Sequence, residues 1–132
     1  MPKLKEIEVS VLDLLVEGIA VNSSYSTNIL PSKEGGLVTQ VGNKTECALL
    51  GFAHDLGYDY MDIRNKHLEE SFVKVYTFNS KRKFMATVLD LKQDDMWRIH
   101  CKGAAEIILQ KYTLIFDFIC DWFLDQMFLN FD

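Results

Sequence analysis

The run Phe72-Val73-Lys74-Val75-Tyr76-Thr77-Phe78-Asn79-Ser80-Lys81-Arg82-Lys83-Phe84-Met85-Ala86-Thr87-Val88-Leu89-Asp90-Leu91, resumed by Met96-Trp97-Arg98-Ile99-His100-Cys101, decides the fold. Phe72–Phe78 and Phe84–Leu91 are rich in β-branched and aromatic residues. Met96–Cys101 alternates Trp97, Ile99 and Cys101 with Met96, Arg98 and His100, the period of a strand. The connections Asn79–Lys83 and Lys92–Asp95 are short and polar. Three strands joined this way form an antiparallel meander. Lys102-Gly103 is expected to break the last strand, and Ala104–Lys111 reads as a helix.

Outward from the meander the chain is helical. Residues 6–21 place Ile7, Val11, Leu14, Leu15 and Ile19 at helical spacing, so these side chains are the expected buried face. Residues 22–37 are rich in Asn, Ser, Pro and Gly and read as a loop; Leu37–Val41 reads as a short strand. A second helix opens at Asn43, an N-cap, with Glu46 three residues on to complete a capping box. Its expected buried face is Ala48, Leu49, Phe52, Ala53 and Leu56, and Gly57 ends it. Residues 58–70 are polar and read as irregular, with a helical turn near Leu68. The fold class is therefore α/β of the α+β kind, a mainly antiparallel sheet with flanking helices.

Composition bounds the function. The chain has 132 residues, 48% hydrophobic and 25% charged, the profile of one globular domain. The net charge of −5 argues against nucleic acid as a partner. Cys47, Cys101 and Cys120 are widely spaced and odd in number, which excludes a disulfide framework or a structural zinc site as readings. Cys47 reads as packing rather than as a reactive thiol. His54, His67 and His100 are scattered and read as structural or surface residues. Ser23, Ser24 and Ser80 lack a partnered His and Asp, so a hydrolase triad has no support. Thr113–Phe131 is apolar but broken by three aspartates, each costing roughly 2.5–3.5 kcal/mol at a bilayer centre, so it is not read as a membrane span.

The meander concentrates chemistry at one edge. Its first and third strands run the same way, so Phe78 and Lys102 end on the edge where Lys83 begins the middle strand. Gly103 permits close backbone approach, and the following helix turns its N-terminus towards the same place. An aromatic platform with ammonium groups suits a nucleotide. The same residues also describe a solvated basic turn, Lys81-Arg82-Lys83, beside a core phenylalanine. Pattern leaves both readings standing.

Three separated motifs speak to this choice. Val75-Tyr76-Thr77-Phe78-Asn79-Ser80-Lys81-Arg82-Lys83 followed by Lys102-Gly103-Ala104-Ala105-Glu106 resembles the nucleotide-binding domain of P-type ATPases. Val41-Gly42-Asn43-Lys44-Thr45-Glu46-Cys47-Ala48-Leu49-Leu50-Gly51 is similar to the plasma-membrane calcium pumps in particular. So are Gly18-Ile19-Ala20-Val21-Asn22 and Leu30-Pro31-Ser32-Lys33-Glu34-Gly35-Gly36. The motifs stand in the family's order over roughly residues 8–111. The resemblance implies an N-domain-like fold over residues 1–111 and ATP as the bound nucleotide, with Mg2+ carried by the nucleotide. It gives Phe78 the role of stacking adenine and places Lys83 near the nucleotide. It likewise matches Lys102 to the family's lysine deep in the adenine pocket, with Gly103 allowing close approach, and Glu46 to the acidic residue that hydrogen-bonds the adenine edge, a role that stands beside the capping box. Many relatives carry an arginine where this chain has Ser80, which leaves Arg82 or Lys81 to meet the phosphates.

The resemblance also implies partners: the phosphorylation domain of a parent pump, at the cytoplasmic face of the plasma membrane. The family's Asp-Lys-Thr-Gly-Thr motif is absent from these 132 residues, so the chain alone is expected to bind nucleotide without forming an aspartyl-phosphate. The competing class is a non-catalytic interaction module using the basic hairpin and an apolar tail. That tail, residues 112–132, holds five of the nine phenylalanines, four aspartates and no Lys or Arg. Asp117, Asp121 and Asp125 repeat every four residues, the spacing of one helical face. Nothing in residues 1–111 looks matched to it, so the expectation is an exposed tail that promotes self-association and whose removal spares nucleotide binding.

Overall fold

The computed structural model describes residues 7–30, 38–92 and 96–111. The tail 112–132, and every expectation placed on it, lies outside the described residues. In chain order the elements are α1 (Val9–Val21), β1 (Asn28–Leu30), β2 (Thr39–Val41), α2 (Lys44–Asp55), α3 (Tyr60–Lys66), a 3-10 turn (Glu69–Ser71), β3 (Lys74–Asn79), β4 (Phe84–Asp90), β5 (Trp97–Gly103) and α4 (Ala105–Leu109).

The meander forms as the sequence predicts: β3, β4 and β5 make a three-stranded antiparallel sheet in that order. The register sets Ala86 between Tyr76 and Cys101, and Phe84 between Asn79 and Gly103. Between Tyr76 and Asn79 the β3 register shifts, a bulge that re-aims Phe78 at the sheet's end. Asn79 organises the turn that follows. Its Oδ1 accepts from the Lys81 and Arg82 amides at 2.8 and 3.3 Å, and Lys83 closes the turn in the left-handed region at φ +57°.

Four local expectations need correction. Lys102-Gly103 does not break β5: the strand runs through both residues, because Phe84 and Met85 continue the ladder opposite them. Asn28–Leu30, inside the expected loop, is a strand that pairs antiparallel with Thr39–Val41. Residues 58–70 hold a seven-residue helix, α3, whose Asp59 cap accepts from the Met61 amide. The buried faces are also rotated. In α1 they are Val16, Ile19, Ala20 and Val21, whereas Leu14 and Leu15 are exposed. In α2 they are Glu46, Cys47, Leu50 and Ala53, whereas Phe52 and Ala48 are exposed. The cause is that α2 packs against α1 and the β1–β2 ribbon at once, and α3 closes the third side. Val16, Ile19, Ala20, Leu50, Ala53 and Tyr60 form the core of this half.

Glycine makes two of these approaches. A Cβ on Gly18 would stand 2.8 Å from His100 Nδ1, so only a bare backbone lets α1 lie on β5. Gly42, at φ +93°, would meet Thr27 Oγ1 at 2.7 Å.

Arg64 of α3 is buried, and every N–H of its guanidinium is used. Nε donates to the Ala20 carbonyl at 3.1 Å. Nη1 donates to the Thr27 carbonyl and Asn28 Oδ1, at 2.9 and 3.2 Å. Nη2 donates to Ser23 Oγ and the Ser24 carbonyl, at 2.9 and 3.1 Å. Tyr25 and Tyr60 stack on it, their ring centres 4.7 and 5.1 Å from Cζ. The segment from Ala20 to Asn28 is thus wound around one cation. Lysine cannot supply that planar fork. Arg64→Lys should therefore lower the free energy of unfolding by roughly 3 kcal/mol, the order seen when a buried charged network is broken; urea titration with far-UV circular dichroism measures it.

Candidate functional site

The site begins with a register. Thr87 of β4 bonds Asn22 Oδ1 at 3.0 Å, which fixes that face of the sheet towards the helices. Side chains alternate, so Val75, Met85, Leu89, Arg98, His100 and Lys102 share the inner face. β5 therefore presents three nitrogen bases at every second position to the acidic residues of α1 and α2. Arg98 Nη1 donates to both Glu17 oxygens, at 2.9 and 3.2 Å. His100 Nε2 lies 2.8 Å from Glu17 Oε1, and His67 Nε2 approaches Oε2 at 3.7 Å. Lys102 Nζ donates to Glu46 Oε1 at 2.7 Å.

Glu46 is the junction. It opens α2, where its amide is capped by Asn43 Oδ1 at 3.1 Å. Its carboxylate does not return to close a capping box. Oε2 instead accepts from Thr27 Oγ1 at 2.8 Å and from the Ser24 amide at 3.1 Å, while Oε1 takes Lys102. Asn43 N–H turns to Thr27 Oγ1 at 3.4 Å. Half of the expected box forms, and the other half is replaced by a bridge between the Ser24–Thr27 loop and β5. Burial pushes the Glu46 carboxyl up; the bonds from Lys102, Thr27 and Ser24 outweigh it and hold the group below the usual carboxylate range.

A cleft of about 510 Å3 opens over this junction, within the range of small-molecule sites. Val21, Phe72, Val75, Met85 and Phe78 give it apolar surface; Glu46, Asn43, Ser24, Thr77 and Glu69 give it polar groups. Of the residues singled out from sequence, Glu46 and Phe78 line it. Phe78 is 64% exposed, an aromatic face open to a ligand. Lys102 meets the cleft through Glu46. The other three lie outside its lining. Lys83 Nζ stands 3.8 Å from Glu106 of α4. Arg82 Nη2 donates to the Thr77 carbonyl at 2.7 Å, and its guanidinium lies over Phe84. Gly103 makes its close approach to the β3–β4 turn: a Cβ there would overlap the Lys83 carbonyl and stand 2.7 Å from Phe84 Cα. The Ala104 amide completes that contact by donating to the Lys83 carbonyl at 2.9 Å.

The fixed chemistry of the site is recognition. It offers a planar apolar platform, a buried ionised carboxylate held by an ammonium, and peripheral cations. Among the described residues no cluster of His, Cys, Asp and Glu could hold a metal ion, and no helix is long and apolar enough to cross a membrane. Cys47 is buried, its thiol donating to the Val41 carbonyl at 3.4 Å. Sequence reasoning missed Arg64, Glu17 and Thr27. Only the cap at Asp59 hinted at the helix that carries Arg64.

The family model described as P-type ATPase, cytoplasmic domain N, matches residues 10–118. The chain is 57% identical over 108 residues to plasma membrane calcium-transporting ATPase 4 of Homo sapiens, covering 81% of this chain and 9% of that protein. It is 53% identical over 118 residues to the protein of the same name from Bos taurus, covering 89% and 10%. Against plasma membrane calcium-transporting ATPase 1 of Mus musculus it is 56% identical over 112 residues, covering 84% and 9%. The chain spans about a tenth of the length of the curated relatives it matches.

The seam carries a pH signature. The His100 hydrogen bond, opposed by burial and aided by Arg98, draws Glu17 from 4.5 down to about 2. A carboxylate depressed on folding stabilises the fold above its unfolded value, and the contribution is lost as pH falls through the folded one. Stability should thus decline between pH 4.5 and about 2. Glu17→Gln should flatten the decline in that window and lower stability at neutral pH; denaturant titrations at a series of pH values measure both.

Proposed function

This chain belongs to the family of P-type ATPase cytoplasmic N domains, and on that footing we propose that it binds an adenine nucleotide at the cleft shared by Phe78 and Glu46. The observation that carries the reading is that these two residues, 32 positions apart in sequence, line one cleft with Lys102 fixed beside the carboxylate. Phe78 stacks the base. Glu46 accepts from the adenine amino group with the one Oε1 lone pair that Lys102 leaves open, Thr27 and Ser24 occupying Oε2. Lys102 lies along the base. Gly103 keeps the Lys83 turn close to β5, so that Lys83 and Arg82 stand outside the cleft as positive charge for the phosphates.

The nucleotide is ATP, with Mg2+ carried on its phosphates rather than by this chain. In the parent, a plasma-membrane calcium-transporting pump, the γ-phosphate passes to an aspartate of the phosphorylation domain at the cytoplasmic face of the membrane. Residues 1–111 are the nucleotide-binding unit in this reading, with 112–132 a tail that follows it in sequence.

Both base contacts ignore the γ-phosphate, so ATP and ADP should bind alike and adenine should be preferred over guanine. Phe78→Ala should cost roughly 1–3 kcal/mol of binding, the range for base–aromatic stacking. NMR titration of the amides around Phe78 and Glu46 reads both effects. Equal perturbation by ATP and GTP, or an acid-stable phosphoenzyme formed by this chain alone from labelled ATP, would overturn the proposal.

A further inference from the structure

We propose that the outer face of the three-stranded sheet is the docking site of the chain's own segment 112–132. The face is identified by register. Thr87 points to the helices, so Phe84, Ala86, Val88 and Asp90 of β4 point away. Their cross-strand partners share that direction: Lys74 and Tyr76 on β3, Trp97, Ile99 and Cys101 on β5. Trp97 is 65% exposed, Ile99 63% and Tyr76 44%. Single exposed apolar residues are ordinary, but three large ones on the strands either side of β4 form a patch that calls for a cover. It lies on the opposite face of the sheet from the Glu46 cleft, and the inference is independent of nucleotide binding.

Charge and connectivity select the occupant. Three cations border the patch: Lys74 Nζ lies 6.0 Å from the Tyr76 ring centre, and Arg82 Cζ and Lys111 Nζ lie 5.7 and 5.3 Å from that of Phe84. Asp90, opposite Trp97, is the one acid that the register places there among the described residues. The segment that follows carries the complement. It has Phe116, Phe118, Trp122 and Phe123 for the patch, Asp117, Asp121 and Asp125 for the cations, and no Lys or Arg of its own to be repelled. Lys111, the last of the described residues before that segment, lies over Phe84 at the border of the face. Adjacent strands lie about 4.8 Å apart, so a few residues cross the sheet. A tethered segment meets the face at an effective concentration on the order of millimolar, well above that of a second copy in dilute solution. The mate that the sequence pattern of residues 1–111 does not reveal is supplied by alternate positions on three strands.

The test uses Trp97 as its own reporter. Trp122→Phe leaves it the sole tryptophan of the two. In that chain Trp97 should emit to the blue and resist acrylamide, independently of protein concentration. Adding Asp117→Lys, Asp121→Lys and Asp125→Lys should shift the emission to the red and raise the quenching constant; Lys74→Glu with Lys111→Glu in that background should restore protection. In the unaltered chain, carbodiimide should join Lys74 to one of the three aspartates within a monomer, a reading that holds should the charge-reversed chain fail to fold. Trp97 equally accessible in both chains, protection that grows with concentration, or no Lys74–aspartate link would overturn the proposal.

Discussion

The guanidinium of Arg64 is the constraint from which the rest of the arrangement follows. A buried cation must satisfy all of its donors, and here the acceptors are three backbone carbonyls and two side-chain oxygens of Ala20–Asn28. That segment has little apolar content and would not order itself by burial. Wound around Arg64, it aims the Ser24 amide and the Thr27 hydroxyl at Glu46. Glu46 can then hold Lys102, and β5 is joined to α2. The order of cause runs from a cation on the short helix α3 to the geometry of a carboxylate at the cleft. Tyr60 supports the same segment from below, donating to the Ile29 carbonyl at 3.2 Å and accepting from its amide at 3.1 Å.

The join between sheet and helices is mostly polar. Inner-face residues of β5 reach Glu17 and Glu46, and Thr87 with Asn22 adds a buried hydrogen bond. Apolar packing is concentrated instead among α1, α2 and α3. A polar join is directional: each pair has one geometry, so the sheet is held at a definite register against α1. Among the described residues, no buried side-chain polar atom lacks a partner.

The sheet was legible because a strand writes its period directly into the chain: Arg98, His100 and Lys102 against Trp97, Ile99 and Cys101. Asn43 and Gly57 announced the ends of α2 through capping chemistry that acts over three or four residues. The Asn28–Leu30 strand was not legible. It is three residues long, lies in a polar run, and its ladder partners are nine to thirteen positions away. Helix α3 was missed because its apolar face is only Tyr60 and Ile63, too few to show a period. Arg64 lies in a run the sequence offers only as polar; tertiary contacts alone bury it. At the site, the edge shared by Phe78, Lys83 and Lys102 followed from strand direction. The bridge from Glu46 to Thr27 and Ser24 did not, since it joins the first turn of α2 to a loop by contacts that carry no sequence pattern.

The alternation of bases along β5 has a bearing on how such a chain can change over time. Glu17 is shared by Arg98 and His100, so losing either base leaves it the other, whereas losing Glu17 strands both at once and losing Glu46 strands Lys102. Gly18 adds a steric clause, because any side chain there meets the His100 ring. Substitution at these positions is least disruptive in matched sets, Gly18 with His100 and Glu46 with Lys102. Positions far apart in the chain are thus bound into one unit of change, although more than fifty residues separate Glu46 from Lys102.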